Sequence, residues 1–282
     1  MMSITEQKRT ARPYLGFGLR LRKEYLAPVL KTLPKVDWFE IISESYLDTS
    51  DAVLGQLDEV RAGYPLVMHG ISLDIGSPWP LDRSYLQKLK QLTERLQPAW
   101  ISDHLSWSGA DDIQGRLLPL PYSRDTLDHL VPRIREVQDF LEQRILLENV
   151  PQERTGSQPE IPESEFLCEV AERSDSLILI DIANLHSTSV NQGINPFDYL
   201  EQLPEERVQQ IHLAGAIALC GTAAHSNDRP EDPIWNMYRS ALTRFGPVST
   251  IIERVDTIPA LGEMVGEMEK ARCAAHQLLS TD

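Results

Sequence analysis

The sequence predicts one α/β domain, a closed (β/α)8 barrel, on three observations. Eight apolar runs of strand length alternate with stretches of helical periodicity along the 282 residues. No linker, solenoid-length repeat or low-complexity segment interrupts them, and a chain of this length is normal for one such barrel. Six of the eight runs stop on His, Asp or Glu, and in a barrel of this kind the carboxyl ends of all strands lie on one face.

The first strand is Tyr14–Leu19 (YLGFGL), where Gly16 and Gly18 permit a close backbone approach. Arg20 and Arg22 follow, then a helix over about 24–32. Val36–Ile42 (VDWFEII) is the second strand, with Glu40 inside it and Glu44 just beyond. A helix over Ala52–Ala62 leads through Gly63 and Pro65 to LVMH, the third strand, ending on His69. GISLDIGSPWPLD, rich in Gly, Pro and Ser, is an irregular surface crossing. Leu81–Leu96 repeats Leu at helical spacing, and AWISDH then ends the fourth strand on His104. A long loop, SWSGADDIQGRLLPLPYS, separates it from the strongest helical pattern, Ser123–Leu141.

The fifth strand, RILLE, ends on Glu148, and Glu163–Glu172 supplies the next helix. The sixth strand is Leu177–Asn184 (LILIDIAN), where four large aliphatic residues land on Asp181, closely followed by Asn184 and His186. A short helix near Phe197–Gln202 precedes VQQIH and His212. The second long loop, AGAIALCGTAAHSNDRPEDP, contains His225, Asn227 and Asp228. A helix over about 234–245, an eighth strand VSTIIE ending on Glu253, and a last helix through about Gln277 complete the barrel. The expected organisation is a tail over 1–13 and a barrel domain over 14–278.

Composition narrows the function. A formal net charge of −15 argues against a nucleic-acid or anionic-membrane partner. No apolar run reaches the length of a membrane span. The opening MMSITEQKRTARPYLG is charged and has no apolar signal core. Cys168, Cys220 and Cys273 are three, scattered thiols, as expected of a reduced chain. A cytoplasmic location is the expectation.

Taken singly, a strand-end His or Glu is more often a structural or solvated residue than a ligand. Six of them converging on one face change the balance toward a metal site. Glu148, Asp181 and Glu253 in one partly buried mouth are expected to repel and to raise one another's pKa values unless a cation sits among them. Imidazole and carboxylate without thiolate favour iron, manganese, zinc or cobalt. Three His and three carboxylates exceed the needs of one catalytic ion, so two or more ions sharing a bridging carboxylate are expected. Asp103, beside His104, is placed either to orient an imidazole or to face solvent. The sequence has no Gly-rich phosphate loop, nucleophile elbow or HExxH motif.

The segments GFGLR, WFEIISESY, MHGISLDIGS, SDHLSWSG, LLPLPYS, ILLENV, LIDIANLH, VNQGINP, IHLAG, DPIWNMY and IIERVDTIP resemble the DUF692 family of multinuclear non-heme iron-dependent oxidases, over about residues 14–267. The resemblance implies a TIM barrel of the xylose-isomerase-like kind, with two or three irons. It implies dioxygen as co-substrate and oxidation of cysteine, or another residue, in a ribosomally made precursor peptide. It also implies a small leader-recognition partner protein. Carried over motif by motif, the implied catalytic metal ligands are His69, His104, Glu148, Asp181, His212 and Glu253. Asn184 matches the last residue of the family's Asp-x-Asn-Asn, and His225 and Asn227 stand where its Asp-Thr-His-Asp-x-Pro loop carries further ligands. Here that loop reads HSNDRP, with two ligand types exchanged. Ala216, Gln192 and Val255 also replace family residues, so a third ion at 225–228 is the least supported of the implied metals.

Two rival functions fit the same fold. One is a divalent-metal sugar isomerase or phosphodiesterase, against which count the acidic charge and the lack of a strand-end Lys. The other is a non-catalytic relative that binds a peptide or partner protein, which the exchanged loop ligands make worth testing.

Overall fold

A computed structural model of the chain describes residues 13–107, 117–152, 159–214, 233–254 and 258–279. Eight strands form a closed parallel barrel: β1 (Phe17–Arg20), β2 (Trp38–Ile42), β3 (Leu66–His69), β4 (Ile101–His104), β7 (Ile145–Glu148), β8 (Leu177–Asp181), β9 (Val208–Ala214) and β10 (Ser249–Glu253). They pair in that order, and β10 closes on β1 with Gly18 opposite Ile251. Two further strands, β5 (Ser106–Trp107) and β6 (Leu118–Pro119), form a small antiparallel ribbon after β4. The sequence leaves this segment as loop, because two-residue strands carry no periodic signal.

The helices are α1 (Lys23–Thr32), α2 (Glu44–Leu47), α3 (Asp51–Gly63), α4 (Arg83–Leu96) and α5 (Arg124–Leu141). Then come α6 (Glu163–Ser174), α7 (Ile182–Gln192), α8 (Pro196–Gln202), α9 (Pro233–Phe245) and α10 (Leu261–Leu279). Their apolar faces join the outer strand faces in one large core that includes Leu127, Ile134, Phe166, Ile180 and Met268. α5 shows how the sequence makes such an element. Ser123 Oγ accepts from Thr126 N at its start, and Leu127, Leu130, Ile134 and Val137 bury one stripe. α4 starts at Arg83 and not at Leu81, because Asp82 caps it by accepting from Ser84 N and Tyr85 N.

Several strands differ from their expected spans: β1 runs over Phe17–Arg20 and not from Tyr14, β2 begins at Trp38 and not at Val36, and β8 is cut short. β8 stops at Asp181, and Ile182–Asn184 form the first turn of α7. Asp181 is itself the cap, its Oδ1 accepting from Asn184 N at 2.7 Å. The apolar run therefore ends where the carboxylate turns the chain into a helix.

A second, smaller core fills the barrel itself: Trp38, Val67, Trp100, Leu146, Leu179 and Ile251 are all buried there. Successive strand residues face opposite sides, so residues two apart share a face. Val67, Leu146, Leu179 and Ile251 are the floor above which His69, Glu148, Asp181 and Glu253 stand on the same inner faces. Gly18 is required by that floor: a Cβ there would lie 2.5 Å from the Trp38 ring. The close approach expected at Gly18 is thus to Trp38, packed edge-on to Trp100 at 5.8 Å between ring centroids.

Candidate metal centre

The register of the barrel brings the strand-end residues together. His104 pairs across β4 and β7 with Glu148, and Asp181 pairs across β8 and β9 with His212. Glu148 lies at the middle. Its Oε2 is 3.2 Å from His69 Nε2 and 3.2 Å from His104 Nε2. Its Oε1 is 3.5 Å from His212 Nδ1, which is 3.9 Å from Glu253 Oε1. Donor atoms of His69, His104 and Glu148 all lie within 4.8 Å of one another, as do those of Glu148, Asp181 and His212. Glu148 belongs to both sets, with one oxygen directed to each side.

Each imidazole is held from behind. His69 Nδ1 meets Ser102 Oγ at 2.8 Å, and that hydroxyl donates to Met68 O at 3.4 Å. His69 Nδ1 therefore carries the proton and Nε2 keeps its lone pair. His104 Nδ1 donates to Gly70 O at 3.2 Å, with the same consequence. His212 is turned the other way, its Nε2 donating to Glu40 Oε2 at 3.1 Å. Glu40 Oε2 also accepts from Gln210 Nε2 at 2.6 Å, and Gln210 Oε1 from Trp100 Nε1 at 2.5 Å. An outer partner on one ring nitrogen, leaving the other for a cation, is the usual support of a metal-binding His.

Buried polar atoms without partners test the fit to a metal. Among the described residues, Glu148 Oε2 and His212 Nδ1 are buried and accept or donate no hydrogen bond. Orphaned buried atoms of this kind each cost on the order of 1–3 kcal/mol, which a coordinated cation removes. The residues present fit a cation bound by imidazole and carboxylate.

The electrostatics depart from the expected mutual repulsion. Burial and the charge of Glu148 push Asp181 up to about 8, as anticipated. Burial also acts to raise Glu148, but His104, His212 and His69 outweigh it and hold its carboxyl well below the usual range. Burial pushes His69 down to about 3, so it is a neutral nitrogen donor at pH 7. His212 goes the other way: burial opposes its charge, but Glu40 and Glu148 together raise its pKa well above the ordinary value. Glu253 is paired with the Arg20 guanidinium, which also lies 3.6 Å from Glu40. Like-charge repulsion is thus concentrated on Asp181.

Five of the implied ligands, His69, His104, Glu148, Asp181 and His212, form this cluster directly, and Glu253 adjoins it through His212. Asn184 lies next to it, its amide nitrogen donating to Asn149 O at 3.0 Å. Asn149 also clamps the Asp181 peptide, accepting from its N at 2.8 Å and donating to its O at 3.2 Å. His225 and Asn227 lie outside the described residues. Asp103 neither orients an imidazole nor faces solvent: buried, it accepts from His104 N at 2.7 Å and Leu73 N at 3.2 Å. Two residues escaped the sequence reading of the site. Glu40 sits inside its strand and not at the end, and Arg20, at the end of β1, is a cation among sought ligands.

A cleft of about 290 Å³ lies among the segments that follow β3 and β4. Ile71, Leu73, Trp79, Ser106 and Trp107 line it, beginning two residues beyond His69 and His104. No helix among the described residues is long and apolar enough to cross a membrane.

A family model described as "RiPP precursor modification enzyme MbnB/TglH/ChrH" matches residues 16–276. A UPF0276 protein of Anaeromyxobacter is 43% identical over 265 residues, covering 92% of this chain and 93% of its own length. A UPF0276 protein of Caulobacter vibrioides is 38% identical over 266 residues, covering 93% and 95%. Among solved structures, D-psicose 3-epimerase from Clostridium cellulolyticum has a TM-score of 0.61 at 17% identity, covering 94% of this chain and 99% of its own. Endonuclease IV from Thermus thermophilus has a TM-score of 0.54 at 15% identity, with the same coverage. These two likenesses establish a fold of the xylose-isomerase-like TIM-barrel kind and nothing about substrate.

Proposed function

The chain belongs to the MbnB/TglH/ChrH family of RiPP precursor modification enzymes, and on that premise we propose that it is a multinuclear iron- and dioxygen-dependent oxidase of a ribosomally made peptide. The residue modified is a cysteine, or another residue, of that peptide. The observation that carries the reading is the divided Glu148 carboxylate, one oxygen toward His69 and His104 and the other toward His212. A carboxylate shared in this way is what two adjacent ions need as a bridge.

In this reading His69, His104 and Glu148 hold one ion, and Glu148, Asp181, His212 and Glu253 hold the second. A third ion, drawing on His225 and Asn227, is weak or absent, because an amide oxygen replaces an anionic ligand. Asn184 completes the ligand set beside Asp181. When bound, iron supplies the Lewis acidity and redox chemistry that a thiol and dioxygen require. The protein's own contribution is positional. His69 would present a neutral nitrogen, Gly70 O orients His104, Glu40 fixes His212, and Asp181 would supply a carboxylate oxygen to a bound cation. Arg20 balances the charge of Glu253 at the edge of the site. His104 is the most open of the three imidazoles of the centre, with 12% side-chain exposure against 2% and 1% for His69 and His212. Substrate approach is therefore assigned to the His104 side, whose following segment lines the cleft through Ser106 and Trp107.

The peptide is presented by a small leader-recognition partner, in a reducing cytoplasm that keeps its cysteine a thiol. Neither nucleic acid nor membrane is part of this reading. The test is to incubate the iron-loaded protein with a Cys-bearing precursor peptide encoded beside its gene. Oxygen uptake with a matching change in peptide mass supports the proposal. Iron-loaded protein that leaves the peptide unchanged, with its partner protein present, contradicts it.

A further inference from the structure

Four successive peptide N–H groups follow His69, and each meets an acceptor in β4 or at the start of α2. Gly70 N donates to Ser102 O at 2.7 Å. Ile71 N and Ser72 N both donate to Glu44 Oε1 at 2.8 Å. Leu73 N donates to Asp103 Oδ2 at 3.2 Å. Tyr85 OH adds a third bond to the same Glu44 oxygen at 2.7 Å. On the strand side, Ser43 N donates to His69 O at 2.8 Å, so the residues either side of the β2 turn grip the chain on both flanks of Gly70. The pinned segment offers one group to the metal centre: Gly70 O, which accepts from His104 Nδ1.

We propose that Glu44 is a positioning residue for His104, acting through the 70–73 segment and the Gly70 carbonyl. The inference rests on the metal-centre reading above. A solvated loop has no need of this carboxylate, since Ile71 and Ser72 are exposed and water would satisfy their N–H groups. What Glu44 adds is place. It sets where Gly70 O stands, and Gly70 O sets which His104 nitrogen carries the proton and where the other points. Gly70 is part of the same device. A Cβ on it would fall 2.2 Å from Asp103 Oδ2 and 3.2 Å from Tyr85 OH. The clamp closes only over glycine. Among the described residues Glu44 Oε2 has no hydrogen bond, so a single oxygen carries all three contacts.

The test is an anaerobic Co(II) titration of the full chain, reading visible ligand-field bands and competition by a chelator. Wild-type protein is expected to bind two ions. Glu44→Ala should keep the ion of Glu148, Asp181 and His212 but weaken the His104-side ion by about 10–100-fold, the usual effect of losing outer support. Its ligand-field band should shift or vanish. Glu44→Gln retains an oxygen able to accept the same bonds, and should restore binding to within a few-fold of wild type. Glu44→Ala that matches wild type in both affinities and both bands, with only a lower melting temperature, reduces Glu44 to a loop staple and overturns the proposal. Should Glu44→Ala not fold, Gly70→Ala drives Asp103 and Tyr85 off the segment and is read identically. An undisturbed His104-side ion in that variant overturns the proposal too. Wild-type protein that takes up no Co(II) removes the metal-centre reading itself, which separates the two failures.

Discussion

Glu40 Oε2 and His212 Nε2 meet at 3.1 Å inside the barrel, one layer below the strand-end residues. The pair is fully buried, and Gln210 and Trp100 extend its hydrogen bonding downward to the apolar floor. A carboxylate behind an imidazole raises its basicity and fixes its ring. Glu40→Gln keeps the size of the side chain and removes the charge. It is expected to weaken metal binding by about 10–100-fold, measured as iron retained after gel filtration under argon. Retention equal to wild type would remove Glu40 from the supporting shell of the centre.

Asp181 gives the pH dependence. Its folded pKa is raised from 3.8 to about 8, so between these values the folded metal-free chain binds a proton that the unfolded chain has released. Stability from this group is present at low pH and is lost as pH rises from about 4 to about 8. Asp181→Asn removes the titration while retaining a good helix cap for Asn184 N. In chelator, the variant should melt increasingly above wild type as pH rises from 5 to 8. Adding metal should stabilise wild type by mass action and close the gap. A melting difference that does not change with pH or metal contradicts a buried carboxyl at this position.

The floor of the barrel can be tested apart from any metal. Gly18→Ala forces a methyl into the Trp38 ring and is expected to cost about 1–3 kcal/mol by overpacking. Gly55→Ala lies in α3 with nothing within 4 Å of its new Cβ. It should stabilise by about 0.5–1 kcal/mol, the ordinary helix preference for Ala. Urea unfolding distinguishes them by sign.

These residues also show what the sequence could and could not disclose. His69, His104, Glu148, Asp181 and Glu253 were legible because an apolar run stopping on a chemical group is visible without knowing the pairing. His212 was legible for the same reason, although β9 continues two residues past it to Ala214. Glu40 was not, because its strand runs on to Ile42 and a mid-strand carboxylate reads as an interruption. The signal that would have found it is parity: Trp38 and Glu40 share a face, and a buried carboxylate on an inner face needs a partner. α7 was missed because IANLHSTSVNQ mixes polar and β-branched residues with little periodicity, so its cap on Asp181 decides it. The roles of Arg20 and Glu44 depend on neighbours far along the chain, which spacing does not reveal.

The most direct measurement is anomalous diffraction at the iron edge from crystals of iron-loaded protein. The account predicts two strong peaks. One lies within bonding distance of His69 Nε2, His104 Nε2 and Glu148, and the other within bonding distance of Glu148, Asp181, His212 and Glu253 Oε1, the oxygen that faces His212, while Arg20 keeps Glu253 Oε2. A third fully occupied peak bonded to His225 would contradict the two-ion form of the proposal. Well-ordered crystals with no peak between Glu148 and the imidazoles would contradict the metal centre altogether.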